Sequence, residues 1–483
     1  VLNNGSSNLH WGILNQPDFL QKAGGNNPTI HFAEETMSVF DRKRLTNEVF
    51  KLDVERMRKG WYTDKYFVNI AHMLEVLDRE GYNYSGKHPR VIPNHDLSKV
   101  QNGDLEVEMQ WFTRHAGKTV IVGVDKALAI LKTCTGYFDQ GEFVNTAHNL
   151  QVWAVEDGDF VSYAGDPLKV QPVMRVRGRY RDFAMLETPT LGILTRGSRV
   201  ATNVYETLVA AKGKPVMFFP ARFDLHEVQA ADGYSYQIAV QRFNQDYAAQ
   251  LGPMVSTDSQ GDWWGGAGGG TVAHAAIASF LGDTAEAMVA FSRTVDPAIA
   301  RIALVDFENN CVRETERTCH AMFVEYMKNM EAGNEQEAHR YVLNGVRLDN
   351  GATMRDESLE MLGDPLLDQG VNPRLVQKVR NALDNVWKEW ELTPEWKARA
   401  EEYCRKVKIV VSGGFNVEKI TRFERAKVPV DTYAVGSSFL DNHGVTNMDF
   451  TADIVRVKIE GEWVDLAKVG RKACDNPELK RVW

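Results

Sequence analysis

Two glycine-bearing stretches, one charged pair and one histidine have the residue types and spacing that chemistry needs. In KIVVSGGFNVEKI (408–420) a short apolar run ends in Ser412, Gly413 and Gly414, and a helical pattern begins at once. Glycines let backbone N–H groups approach an anion and a helix N-terminus favours negative charge, so the loop reads as a tight turn or as a phosphate site. A second such loop, Gly436, Ser437 and Ser438 in VDTYAVGSS, follows one strand–helix unit later. In NGVRLDNG, Arg347 and Asp349 stand two apart and so share one face of a strand. The Arg can hold phosphate oxygens and the Asp can hold Mg²⁺ or sugar hydroxyls; the pair is equally readable as a strand-end salt bridge. Asp306 in LVDF adds a carboxylate at an equivalent strand end. His274 follows the glycine-dense loop of WWGGAGGGTVAH, a setting for covalent or acid–base work or for a structural imidazole. Arg222, closing PVMFFPAR, can pair with a carboxylate substrate or remain a solvated charge. The chemistry that suits this set is displacement of pyrophosphate from a sugar, with cationic and metal clamps on the leaving group and carboxylates near the reacting carbon.

Such residues need a scaffold that gathers them. KPVMFFPARF, RIALVDF, LNGVRLDN, KIVVSGG and VDTYAVGSS are each a short apolar run, then a Gly- or Asp-bearing loop, then a helical stretch. Repeated strand–loop–helix units predict a parallel sheet, open or closed into a barrel, with chemistry at the C-terminal strand ends. Earlier in the chain, YFVNIAHMLEVLDREG predicts a helix with Phe67, Ile70, Leu74 and Leu77 on one face and Gly81 as its stop. DLEVEMQWFTRHAGKTVIVGV alternates and turns near Gly117, and 151–200 reads as short strands and turns. The expected fold class is α/β: an irregular TIM-like α/β barrel domain plus an α+β domain built mainly from the N-terminal part, with a C-terminal contribution. The expected divisions are an extension at 1–55, the α+β domain at 56–205, the barrel-like domain at 206–440 and a returning segment at 441–483.

At 483 residues the chain is long enough for two or three domains. A net charge of −9 argues against nucleic-acid or anionic-membrane partners. No apolar run approaches the roughly 20 residues of a membrane span. The start, VLNNGSSNLH, lacks the features of a secretory signal. The five cysteines are scattered and form no CxxC, which predicts a reducing compartment, the cytoplasm, with neither disulfide framework nor zinc site.

Several blocks, in order, resemble the nicotinate phosphoribosyltransferase family of the type II phosphoribosyltransferases: YTDKYF, DLEVEMQWFTR, MLETPTLGILTRGSRVAT, FFPARF, GTVAHAAIASF, LVDF, NGVRLDNG, VSGGFNVEKI and YAVGSSF. They span roughly residues 60 to 472. The resemblance implies transfer of phosphoribosyl from phosphoribosyl pyrophosphate to nicotinate in NAD salvage, coupled to ATP through a phosphorylated His, which His274 looks like. It further implies Mg²⁺ held through pyrophosphate, with Asp306 or Asp349 nearby, and Arg347 and Asp349 as phosphoribosyl pyrophosphate contacts. Ser412, Gly413, Gly414, Gly436 and Ser437 look like the ribose-phosphate cradle, and Arg222 like the base-side Arg. Gly233 and Thr271 join the substrate-binding set. In a head-to-tail homodimer, Tyr66 with Asp64 would reach the partner's active site.

Three departures stand out. Phe223 follows Arg222 where relatives often carry a second Arg, Ala434 and Ser437 replace a commoner Gly and Thr, and the leading 50 or so residues have no clear counterpart in shorter relatives. Nicotinamide is the main rival substrate, with Asp258 in PMVSTDSQG available to an amide, and quinolinate is a further one. A phosphosugar-binding barrel without turnover, acting as a sensor, is the alternative of a different class.

Overall fold

The computed structural model describes residues 43–90, 92–270 and 272–483. Thr271 and most of the N-terminal extension, residues 1–42, lie outside the described residues.

The predicted first helix forms over Lys65–Arg79, and Gly81 follows it at φ +63°. Seven strands come next: β1 (Glu106–Thr113), β2 (Gly117–Val120), β3 (Gly136–Asp139), β4 (Glu142–Asn145), β5 (Gln151–Ala154), β6 (Phe160–Tyr163) and β7 (Met174–Arg179). The C-terminal part adds β13 (Phe450–Ile459), β14 (Glu462–Asp465) and β15 (Lys480–Arg481). Six of these make one antiparallel sheet in the order β14-β13-β1-β7-β5-β15, so the chain's end returns to pair with its early strands. Strands β2 and β6, and β3 and β4, form two-stranded ribbons.

Between them run β8 (Val216–Phe218), β9 (Ile302–Leu304), β10 (Gly345–Leu348), β11 (Lys408–Val411) and β12 (Thr432–Val435). They form a parallel sheet, ordered β8-β12-β11-β10-β9. Nearly every residue of these strands is buried, because helices cover one face of the curled sheet and strand side chains such as Ile302, Val410 and Ala434 pack together on the other; this is why the strands read as apolar runs rather than alternating ones. The first strand pairs with the last, which is how a barrel closes. Among the described residues the opening lies between β8 and β9, where Val255 makes a parallel bridge to Phe218. The result is an irregular α/β barrel beside a mixed α+β layer.

Candidate active site at the parallel strand ends

The sheet order arranges the sequence-selected residues in a line along its C-terminal edge: Arg222 after β8, Gly436 after β12, Ser412 after β11, Asp349 after β10 and Asp306 after β9. Register explains the spacing, since Arg347 pairs with Leu304 and Val410 while Val411 pairs with Leu348 and Tyr433.

At the centre, Arg347 Nη1 donates to Asp349 Oδ2 at 3.2 Å and to Ser412 Oγ at 3.1 Å. Ser412 donates in turn to Asp349 Oδ1 at 2.7 Å. Arg347 and Asp349 are thus paired as a salt bridge at the strand end, the first of the two sequence readings, with Ser412 bonded to both. Arg347 Nη2 also reaches the Val272 carbonyl at 3.4 Å, tying the GTVAH segment to the same point. His274 opens a short helix (His274–Ser279), and its Nε2 lies 3.0 Å from Asp306 Oδ1. The His side chain is 48% exposed and the Asp 8%. Burial pushes the Asp306 carboxyl up, facing His274 pulls it back, and the nearby Asp349 charge pushes it further up.

Gly413 and Gly414 adopt φ of +87° and +66°, a left-handed turn that side chains disfavour. The turn releases the chain from β11 into the helix Val417–Arg425, whose Asn416 cap accepts from Lys419 N at 2.9 Å. Ser438 Oγ donates to the Phe415 carbonyl at 3.0 Å, so the two glycine loops are joined directly. At Gly436 a Cβ would stand 2.6 Å from Cε2 of the half-exposed Phe223, so a side chain there would push that ring aside. Ser437 is exposed. The Arg222 guanidinium lies 5.6 Å from the Phe223 ring centre and makes no ion pair with any described residue.

Other selected residues lie elsewhere. Tyr66 is 56% exposed and donates to Asp64 Oδ2 at 3.2 Å. Asp64 also accepts from Thr188 Oγ1 at 3.0 Å, at the start of the helix Glu187–Ala210. Gly233 sits inside the helix Gln229–Tyr247, packed against the Gln260 backbone. Asp258 accepts the Gly268 N–H at 2.9 Å and so braces the glycine-rich loop.

Sequence reasoning missed Lys419. Its Nζ donates to the Gly413 carbonyl at 3.1 Å and lies 4.2 Å from the Phe415 ring centre. Burial, with Arg422 beside it, pulls this ammonium down to about 8. The signal was present: a Lys three residues after the Asn cap sits in the first turn beside the loop it follows.

Residues 96–198 match the family model described as quinolinate phosphoribosyl transferase, N-terminal domain. Nicotinate-nucleotide pyrophosphorylase from Pyrococcus furiosus superposes with a TM-score of 0.57 at 23% identity, covering 87% of this chain and 80% of that one. The chain shares the fold of that pyrophosphorylase. Human nicotinic acid phosphoribosyltransferase is more distant, at 15% identity and a TM-score of 0.48, covering 82% of this chain and 75% of its own. The nicotinate-nucleotide pyrophosphorylase of Francisella tularensis follows at 14% identity and 0.43, covering 80% and 96%. No curated protein sequence matches the chain significantly. No helix among the described residues is long and apolar enough to cross a membrane.

Proposed function

We propose that this chain transfers the phosphoribosyl group of phosphoribosyl pyrophosphate to nicotinate, giving nicotinate mononucleotide and pyrophosphate in NAD salvage. The observation that carries the reading is the Arg347–Asp349–Ser412 cluster at adjacent strand ends, flanked on one side by two linked glycine loops and on the other by His274–Asp306. The glycine loops and Lys419 suit the sugar phosphate, and Arg347 suits the pyrophosphate. The ring nitrogen forms its bond to C1 as the C1–O bond to pyrophosphate breaks, with the electron pair leaving on that oxygen. Arg347 stabilises the charge that grows there. Asp306 and Asp349 are hard oxygen donors, and Asp349 lies close enough for its charge to act on Asp306, which fits Mg²⁺ held jointly by carboxylates and substrate phosphates. Bound there, Mg²⁺ would neutralise the leaving pyrophosphate.

Nicotinate stands first among bases because Arg222 offers one cation with an aromatic neighbour, and a single carboxylate needs no more. Quinolinate is the second reading, favoured by the family match over residues 96–198. His274, exposed and oriented by Asp306, suits phosphorylation by ATP. A homodimer in which the exposed Tyr66 and Asp64 complete the partner's site belongs to the same proposal.

Pyrophosphate release from phosphoribosyl pyrophosphate tests it, run with nicotinate, nicotinamide and quinolinate, with and without ATP. Nicotinate alone should support turnover, ATP should raise it, and Arg347→Ala should abolish it in a folded protein. Turnover with quinolinate instead would reassign the base. Release with no base, or near-normal activity in Arg347→Ala, would sink the assignment.

A further inference from the structure

The loops that carry Asp306 and Asp349 are fastened to each other by a buried polar network that meets the site at its edge, where Asn309 N donates to the Asp306 carbonyl at 3.0 Å. Its hub is Asp356, whose relative exposure is 0% and which has no cation partner among the described residues. Asp356 Oδ2 accepts the backbone N–H of Cys311 at 2.9 Å, the first residue of the helix Cys311–Glu331. The same oxygen accepts Asn350 Nδ2 at 3.2 Å, and Oδ1 accepts the Ser358 N–H at 2.9 Å. Asn350, itself 3% exposed, accepts the Cys311 thiol at 3.1 Å. Two further bonds join the same segments: Glu357 N to the Asn309 carbonyl at 2.9 Å, and Asn309 Nδ2 to the Arg355 carbonyl at 3.0 Å.

One tied segment, 307–311, begins next to Asp306, and the other, 350–358, begins next to Asp349. The strands before them are already fixed by the β9–β10 ladder, so the network is not needed to build the sheet. What the ladder leaves undetermined is the path of each chain after it leaves its strand, and hence the separation of the two carboxylates. A buried carboxylate that accepts only N–H donors from both segments fixes that separation rigidly, because an uncompensated donor or acceptor there is strongly disfavoured.

We infer that Asp356 is a positioning residue that sets the distance between the Asp306 and Asp349 carboxylates, and through it the affinity of this edge for a magnesium–pyrophosphate group. The inference rests on the proposed phosphoribosyl transfer. In Asp356→Asn one of the two acceptor oxygens becomes an NH2, so whichever way the amide faces at least one of the Cys311, Asn350 and Ser358 N–H donors loses its acceptor, and the hold of Asp356 on the loops weakens while the ladder stays.

The test is calorimetric titration of the full chain with phosphoribosyl pyrophosphate in saturating Mg²⁺, beside circular dichroism and melting curves. Asp356→Asn should bind at least about 10-fold more weakly, and the Mg²⁺ concentration for half-maximal turnover should rise while KM for the base stays put, as a carboxylate displaced by ~1 Å implies. Asn350→Ala, which removes the acceptor of the Cys311 thiol but leaves the Cys311 N–H bonded to Asp356, should give a smaller shift in the same direction. Should Asp356→Asn fail to fold, this second variant decides the matter. Wild-type affinity and Mg²⁺ dependence in a folded Asp356→Asn, or in Asn350→Ala if that is the only folded variant, overturn the inference and leave the proposed function standing. Absence of binding by the unmodified protein overturns both.

Discussion

Replacing Gly233 with alanine separates a binding role for this residue from a packing role. A Cβ at Gly233 would stand 1.9 Å from the carbonyl oxygen of Gln260 and 2.6 Å from its carbonyl carbon and Cα. These are backbone atoms, so no rotamer relieves the overlap. Even a 3.0 Å approach requires the helix Gln229–Tyr247 to back away from Gln260 by about 1.1 Å. The same Gln260 oxygen accepts the Trp264 indole N–H at 2.8 Å, so the shift also loosens the anchor of the glycine-rich loop. Overpacking costs about 1–3 kcal/mol and a lost hydrogen bond about 1 kcal/mol, while the better helix propensity of alanine returns about 0.5–1 kcal/mol.

The net expectation is a loss of about 1–3 kcal/mol, read as a fall in melting temperature of about 1 °C per kcal/mol for a chain of this length. Thermal unfolding followed by circular dichroism measures it. Gly192→Ala is the control: that glycine lies in the helix Glu187–Ala210 with nothing within 4 Å of an added methyl group, so the variant should be neutral or slightly more stable. If Gly233→Ala melts with the wild type and instead raises KM for a substrate, the packing argument fails and the residue belongs to the binding surface.

His274→Ala should remove ATP stimulation and leave a basal, ATP-independent turnover; undiminished stimulation in a coupled pyrophosphate assay would refute the phosphorylated-His role. Glu187 supplies a pH prediction, because burial, with Asp453 and Asp64 nearby, lifts its carboxyl to about 8 from an ordinary 4.5. The folded protein then keeps a proton that the unfolded chain releases, so stability falls as pH rises from about 4.5 through 8, and Glu187→Gln should gain on the wild type across that window in melting temperature. Equal pH slopes would show that the carboxyl is not held neutral. Phosphoribosyl pyrophosphate should bind at least about 10-fold more tightly with Mg²⁺ than with EDTA, and metal-independent affinity would argue against a metal between Asp306 and Asp349.

The parallel strands were legible because burial on both faces leaves an unbroken apolar run, and the residue after each run is the one the fold places at the sheet's C-terminal edge. Asp306, Asp349, Ser412 and Gly436 were found that way. The glycines of Ser412–Gly414 were legible as a pair because two successive positive φ values demand them. Spatial order was not legible: that β8 lies against β12, which brings Phe223 over Gly436, follows from closure of the sheet and not from any local pattern. Gly233 could not be told from a ligand contact, since a glycine required by a helix crossing and one required by a substrate look alike in sequence. Asp356 was invisible for a third reason. It lies in a polar stretch without periodicity, and only folding shows that one of its partners is the N–H of Cys311, 45 residues earlier.

The same closure explains how one edge manages opposite charges. Arg347 cannot stand alone in a half-buried site, and in the absence of an anion Asp349 neutralises it at 3.2 Å. A pyrophosphate that takes over the guanidinium leaves Asp349 without its cation and beside Asp306, whose carboxyl the Asp349 charge already pushes up. Two carboxylates so placed repel unless a cation joins them, so under the proposed reaction anion binding by Arg347 and cation binding by the Asp pair would reinforce each other. His274 offers a second cation to the same edge when protonated or a nucleophile when neutral, and Asp306 orients it in either state. The glycine loops add no charge of their own and need add none. Their part is geometric, and it is the order β12-β11-β10-β9 that places their backbone beside residues able to handle the charge.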